Sequence, residues 1–302
     1  MRSLFGRGAA ATVQVQPAVL LPAGELTATI TIPAAIEKVA AARAELGYVN
    51  RFAYRWAGRA DAAATAGADS LATIGQVGTD YGSERETQDW VAVVQTPLEV
   101  ADGTLAAAIL ELGFRVPSWA PGSSEELLTW AVRLTVDRRG RDVEADGRFV
   151  VLAPAPPPRA PGRDERVMGG SSEIEIRLDR PAWRAGETIS GTVVITAPPE
   201  GLPEADVAVM LQFDRLSHPL QRTPARAVTF DRGLVTIDKH VALTAGGATE
   251  LPFELPLPAG AGPTAEAVHS SLEWFVLVRI FYKGFSAHLP ERVRRGFVVY
   301  NG

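Results

Sequence analysis

The sequence predicts an all-β protein made of two tandem antiparallel β-sandwiches, immunoglobulin-like in build. Three observations carry that expectation. First, a series of short features occurs twice in the same order. Ala23-Gly24-Glu25 returns as Ala185-Gly186-Glu187, a Trp-led apolar segment starts at Trp130 and again at Trp274, and the closing Gly147–Val151 returns as Arg295–Val299. Second, apolar and polar residues alternate with period 2, which puts one face of a strand in a core and the other in water. Third, a proline-dense stretch divides the chain near its middle.

In the first half, Leu26, Ala28, Ile30 and Ile32 alternate with Thr27, Thr29 and Thr31, and read as a strand. Ile36–Tyr48 is rich in Ala and charge, which favours helix. Its match to the second half, with Leu46 on Leu211 and Tyr48 on Phe213, makes it a strand. Ala57–Thr87 has no period and reads as a long surface excursion. Leu105–Leu112 fits either a helical turn or a strand. TWAVRLTV from Thr129 and the Phe149 segment close the unit.

Ala153–Ser172 contains Pro154, Pro156, Pro157, Pro158 and Pro161, followed by Gly169-Gly170 and two serines. Prolines at this density favour extended polyproline geometry, and Gly/Ser segments are flexible. The expected division is 1–153, a linker at 154–172 and 173–302, with the two units partly docked and Gly169-Gly170 leaving a mobile hinge.

The second half repeats the alternation. Ile174, Ile176 and Leu178 oppose Glu173, Glu175 and Arg177; Ile189, Gly191, Val193 and Ile195 oppose Thr188, Ser190 and Thr192. Strands are also expected at Val207–Phe213, around Val235–Val241, at Leu251–Leu257, at Trp274–Tyr282 and at Arg292–Tyr300. Prolines at 252, 256 and 258 assign Leu251–Leu257 to a sheet edge, where no ladder donor is missed.

Bulk properties narrow the function. The net charge of −5 does not suit a general nucleic-acid binder, which needs a basic face. There is no cysteine, so thiolate catalysis, disulfides and Cys-type zinc sites are excluded. The start has no apolar core of a signal peptide. No apolar run reaches the ~18 residues that cross a bilayer. A cytoplasmic protein is the expectation, with no cofactor.

Motifs with chemical potential are weak. Gly6-Arg7-Gly8 opens an imitation of a dinucleotide fingerprint but follows no strand. Asp142, Glu144 and Asp146, with Gly147, imitate the start of a calcium loop. Position 12 of such a loop would be Ala153, which cannot supply the bidentate carboxylate, so a solvated turn is the plainer reading. The four histidines are dispersed, and Ser217-His218 neighbours on a strand point to opposite faces. No nucleophile elbow is present, and the chain is not expected to be an enzyme. Arg279, Lys283, Arg292, Arg294 and Arg295 fall on the last two strands and would form a basic patch for phosphate, an acidic peptide or anionic lipid. Trp130 and Trp274 read as core anchors.

The order of these parts resembles the arrestin-like superfamily, and within it the bacterial sporulation-control proteins with an arrestin fold. The residues that carry the resemblance are the LFGRGAAATVQVQ start, the Ala-Gly-Glu turn, and Ile36-Glu37-Lys38-Val39 with Leu46-Gly47-Tyr48. Phe114-Arg115-Val116-Pro117, its expected match Phe253-Glu254-Leu255-Pro256, and TWAVRLTVDRRGRDVEADGRFVV complete it. The resemblance implies arrestin-type sandwiches and a non-catalytic scaffold or adaptor that binds other proteins, in signalling or in sporulation or stress control. It carries over no functional residue.

An open sandwich has edges, so strand addition by a partner is the expected mode. Glu173, Ile174, Glu175, Ile176 and Arg177 form the candidate edge. The competing expectation is a carbohydrate- or small-ligand-binding sandwich module, which would need exposed aromatic side chains converging on one surface.

Overall fold

The structure is a computed structural model that describes residues 11–56, 83–157, 163–217, 228–284 and 289–302. Among these residues every regular element is a strand. Of the expected surface excursion Ala57–Thr87, residues 57–82 lie outside the described residues, as do the Gly6-Arg7-Gly8 motif, His218 and His288, whereas Ser83–Thr87 are strand, paired with Phe52–Trp56.

The strands before the proline-rich stretch are β1 (Thr12–Gln16), β2 (Val19–Leu20), β3 (Glu25–Ile32), β4 (Ile36–Glu37), β5 (Val39–Trp56), β6 (Ser83–Pro97), β7 (Thr104–Leu105), β8 (Ala108–Arg115), β9 (Leu128–Arg138) and β10 (Val143–Val151). They form a three-stranded sheet β1-β3-β8, a five-stranded sheet β2-β10-β9-β5-β6 and the small pair β4-β7. Ile36–Tyr48 is therefore strand despite its helix-favouring alanines: its inward Ala42, Ala44, Leu46 and Tyr48 are buried between flanking strands. The ambiguous Leu105–Leu112 is also strand, because Ala108–Arg115 completes a ladder with β3.

After it come β11 (Asp164–Met168), β12 (Glu173–Leu178), β13 (Ala182–Arg184), β14 (Thr188–Thr196), β15 (Ala205–Ser217), β16 (Val228–Val241), β17 (Ala248–Pro256), β18 (Ala265–Glu266), β19 (Ser270–Tyr282) and β20 (Glu291–Tyr300). They form the sheet β12-β14-β17 and a seven-stranded sheet with the path β11-β20-β19-β15-β16, to which β13 and β18 add. Among the described residues no ladder joins a strand before Val151 to one after Asp164.

The two sets share a pairing order. β2-β10-β9-β5-β6 matches β13-β20-β19-β15-β16, and β1-β3-β8 matches β12-β14-β17. Even the parallel pairs correspond, Val150 with Val19 and Val298 with Ala182. Tyr48, Trp130 and Phe149 stand abreast on three neighbouring strands, as do Phe213, Trp274 and Phe297. In each half a Ser or Thr clamps the closing strand through two bonds. Ser123 N–H donates to Val151 O and accepts Val151 N–H on Oγ; Thr264 does the same with Val299.

Two sequence matches prove to be out of step. The tight turn places Gly24 N–H on Leu21 O and Glu187 N–H on Arg184 O, so Gly24 matches Glu187 and Ala23 matches Gly186. Both of the latter are left-handed, at φ 66° and 90°. Similarly, Phe114 pairs with Leu26 as Leu255 pairs with Ile189, and the loop bonds Ala120 N–Pro117 O and Ala261 N–Pro258 O coincide. The partner of Phe114 is thus Leu255, not Phe253. A slip of two residues keeps every side chain on its own face, so alternation alone cannot detect it.

The proline-rich stretch also departs from expectation. Residues 152–157 carry no regular structure, but Asp164–Met168 join the sheet as β11. The Gly169–Ser172 turn, expected to be free, wraps a carboxylate. Glu291, fully buried, accepts the amides of Ser171 and Ser172 (both 2.9 Å), the Tyr282 hydroxyl (2.6 Å), the Ser172 hydroxyl (3.1 Å) and Arg166 Nη1 (2.6 Å). Gly169 is required there: it is left-handed, and a Cβ would lie 2.8 Å from Pro290 O. Burial pushes the Glu291 carboxyl up, yet Tyr282, Arg166 and the two amides outweigh it and hold it below the ordinary carboxylate value.

The two strand sets meet through buried polar groups. Asn50, fully buried, donates Nδ2 to Ser270 Oγ (2.7 Å) and Leu127 O (3.2 Å) and accepts the His269 amide (2.8 Å). Ser217 Oγ accepts the Ala53 amide (2.8 Å), and Ala153 exchanges bonds with Asn301 and Gly302. Arg215, buried, pairs with Glu86.

Candidate partner-binding surfaces

A sheet edge can accept a partner strand only if its outward N–H and C=O groups are free. β12, the candidate edge, is indeed terminal in its sheet. Ile174 and Ile176 face the core, while Glu173, Glu175 and Arg177 face solvent. Arg177 pairs with Glu175 (2.7 Å) and Glu250 (3.2 Å). The edge itself is guarded. Ile176 N–H donates to Asp164 Oδ2 (3.2 Å), Arg295 Nη1 donates to Ile176 O, and Arg295 lies 3.6 Å from Asp164. Two separately expected features, this edge and Arg295, are thus brought together, and the contact closes the middle of the edge.

The five basic residues do not form one patch. Arg295 faces inward, to β12. Lys283 pairs with Asp206. Arg294 pairs with Asp214 (2.6 Å) and Glu165 (2.8 Å) and stacks on Phe275 at 4.1 Å. Arg279 and Arg292 stand directly opposite each other on β19 and β20.

The calcium-loop residues are also dispersed. Asp142 Oδ1 accepts the Arg138 amide (3.1 Å), Asp146 pairs with Arg133 (2.8 Å), and Glu144 projects from the exposed face of β10. Among the described residues no three His, Asp or Glu converge as metal ligands.

A surface that sequence reasoning missed lies along β8. This strand pairs with β3 on one side and ends its sheet on the other. Beside it opens a cavity of about 420 Å³ lined mainly by apolar groups, including Ile32, Leu98, Leu105, Ala108, Leu110 and Leu112. Ile109, on the opposite face of β8, is 71% exposed. The available signal was the alternation of Leu110, Leu112 and Phe114 with Ile109, Glu111 and Gly113, which the adjoining Ala106-Ala107-Ala108 obscured. β8 contains no proline, whereas the matching edge β17 carries Pro252 and Pro256.

Of the tryptophans, Trp130, Trp183 and Trp274 are buried, and Trp90 lies under Arg133 at 4.2 Å. Trp119 is 63% exposed and borders a cavity of about 480 Å³ with Pro121, Pro154, Pro156 and Glu266. No helix among the described residues is long and apolar enough to cross a membrane.

No protein-family model matches the chain, and no curated protein matches it.

Proposed function

We propose that the chain is a non-catalytic adaptor of two tandem β-sandwiches of the arrestin type, which binds an extended protein segment by strand addition at β8. The matching pairing order of the two strand sets supports the tandem reading. The carrying observation for binding is the conjunction at β8: a terminal, proline-free strand bordering an apolar cavity. A strand added there gains main-chain hydrogen bonds, and its alternate side chains reach the cavity, giving affinity and selectivity from one geometry. β17, by contrast, is obstructed by prolines, and β12 by Asp164 and Arg295. The sequence resemblance to sporulation-control proteins is what supports a role in bacterial signalling or in sporulation or stress control.

Selection from a displayed library of linear peptides tests the reading. The selected peptides should alternate apolar residues and slow amide exchange across Ala108–Arg115. Ile109→Pro and Leu110→Lys should each weaken their binding at least tenfold. Peptides that protect other strands and ignore both substitutions overturn it.

A second reading is favoured by Trp119, whose exposed ring beside a cavity suits stacking on a sugar or another small ligand. A glycan array that scores, with binding lost in Trp119→Ala, would rank this reading first.

A further inference from the structure

On the outer face of the seven-stranded sheet, charge is matched almost residue by residue. Glu165 and Asp214 are taken by Arg294. Asp206 is taken by Lys283 and by the amide of His240, and Asp231 accepts Gln212 Nε2. The outer face of the five-stranded sheet is similar: Arg43 holds Glu45 and Asp137, and Arg133 holds Asp146.

Arg279 and Arg292 break the pattern. They are register partners on antiparallel strands, so their Cβ atoms stand about 5 Å apart on one face. Like charges directly opposite each other are destabilising. Neither guanidinium has a carboxylate within ion-pair distance among the described residues. The Nε–H of each is buried without an acceptor. Among the described residues the polar and ring contacts of Arg279 are the Met210 sulfur, at 4.0 Å, and the Phe281 ring, at 5.6 Å. On the next strand the residue opposite Arg279 is Ala208, and on β11 the residue opposite Arg292 is Met168. Both arginines are half-buried, and these flanking residues offer them no anion.

We infer that Arg279 and Arg292 form a two-guanidinium fork that binds a dianionic tetrahedral oxyanion of the phosphate-monoester class. The charge sets the class. A carboxylate carries one negative charge and would leave one arginine uncompensated. A phosphate monoester carries −1.5 to −2 near neutral pH and offers three acceptor oxygens, enough to bridge both groups. Binding replaces a repulsive pair by two charge-assisted contacts. This inference is independent of strand addition at β8.

The test uses the full chain at constant ionic strength, with inorganic phosphate as the probe and chloride as the control. Phosphate should raise the melting temperature saturably and shift the side-chain Nε resonances of both arginines. Arg279→Gln and Arg292→Gln should each weaken phosphate binding at least tenfold. In phosphate-free buffer neither should lower the melting temperature, since each relieves like-charge repulsion. Arg294→Gln, which breaks a paired arginine, should lower the melting temperature and leave phosphate binding in place. Two further arms identify the source: O-phosphoserine should compete with phosphate, and vesicles containing anionic phospholipid should not bind. Equal phosphate stabilisation in the Arg279→Gln/Arg292→Gln double variant overturns the inference. So does a loss of stability on neutralising either arginine without phosphate, or binding confined to the vesicles.

Discussion

Trp130 and Trp274 occupy the same place in two copies of one arrangement. Each indole N–H is buried and donates to the carbonyl that precedes its strand, Pro121 at 2.9 Å and Gly262 at 2.8 Å. Each ring is tilted against an aromatic on the neighbouring central strand at 4.9 Å, Tyr48 in one case and Phe213 in the other. Each also meets a phenylalanine of the closing strand, Phe149 at 6.2 Å and Phe297 at 6.4 Å. Both therefore act as core pillars and as anchors for the loop that crosses from one sheet to the next.

Trp130→Phe and Trp274→Phe should each destabilise by about 1–3 kcal/mol, because a buried carbonyl loses its donor. Truncation to Ala should cost about 3–5 kcal/mol. Urea unfolding followed by circular dichroism measures both. A cost below 0.5 kcal/mol for Trp274→Ala would contradict the pillar role.

Ala23 adopts a left-handed backbone that its counterpart Gly186 adopts without a Cβ. Ala23→Gly should therefore stabilise the chain, by about 0.5–1 kcal/mol, and Gly186→Ala should destabilise it by about 1–2 kcal/mol. Melting temperatures should move in opposite directions for the two substitutions.

Glu291 gives the chain an acid-sensitive joint. Its folded carboxyl titrates below the ordinary value, so between that depressed value and about 4.3 the unfolded state binds more protons. The stabilisation is complete above the unfolded value and disappears as pH falls through the folded one. Glu291→Gln should lower stability at pH 7, by about 3 kcal/mol, and flatten its dependence on pH below 4.3. Denaturant titrations at pH 7, 5 and 3 check this, and an unchanged acid slope would contradict it.

Asn50 couples the two strand sets. Asn50→Ala strands the His269 amide and removes a donor from Ser270 Oγ, which keeps its bond to Arg51 O, and should cost about 2–3 kcal/mol. Calorimetry should show one transition in the parent chain and broader or split melting in the variant. An unaltered single transition would mean that the coupling runs through other contacts.

Strands whose alternation is clean, such as Leu26–Ile32 and Ile189–Ile195, were legible because one face must be apolar. The duplication even corrected propensity at Ala41–Leu46, where tertiary pairing overrides the alanines. What stayed hidden depends on partners distant in sequence. Glu291 reads as one more surface charge beside Arg292, since its ligands Arg166, Ser171 and Ser172 lie far upstream. The basic run around Arg294 looks continuous on paper, although Arg295 turns inward and Arg294 is already paired. The edge status of β8 follows from which strands end each sheet, and composition does not encode that order.

The guard on β12 has a consequence in time. Its two components arrive separately: Asp164 precedes β12, while Arg295 belongs to β20, more than a hundred residues later. Glu291, which secures the Gly169–Ser172 turn, is also on that strand. A chain emerging from the ribosome completes its first strand set by Val151, but carries β12 half-guarded and the turn unanchored until the ten-residue β20 is made. Premature termination before Glu291 would thus remove more than a strand. It would release a product whose Ile176 carbonyl and Ser171 and Ser172 amides have lost their partners, and such nascent chains are natural clients for chaperones.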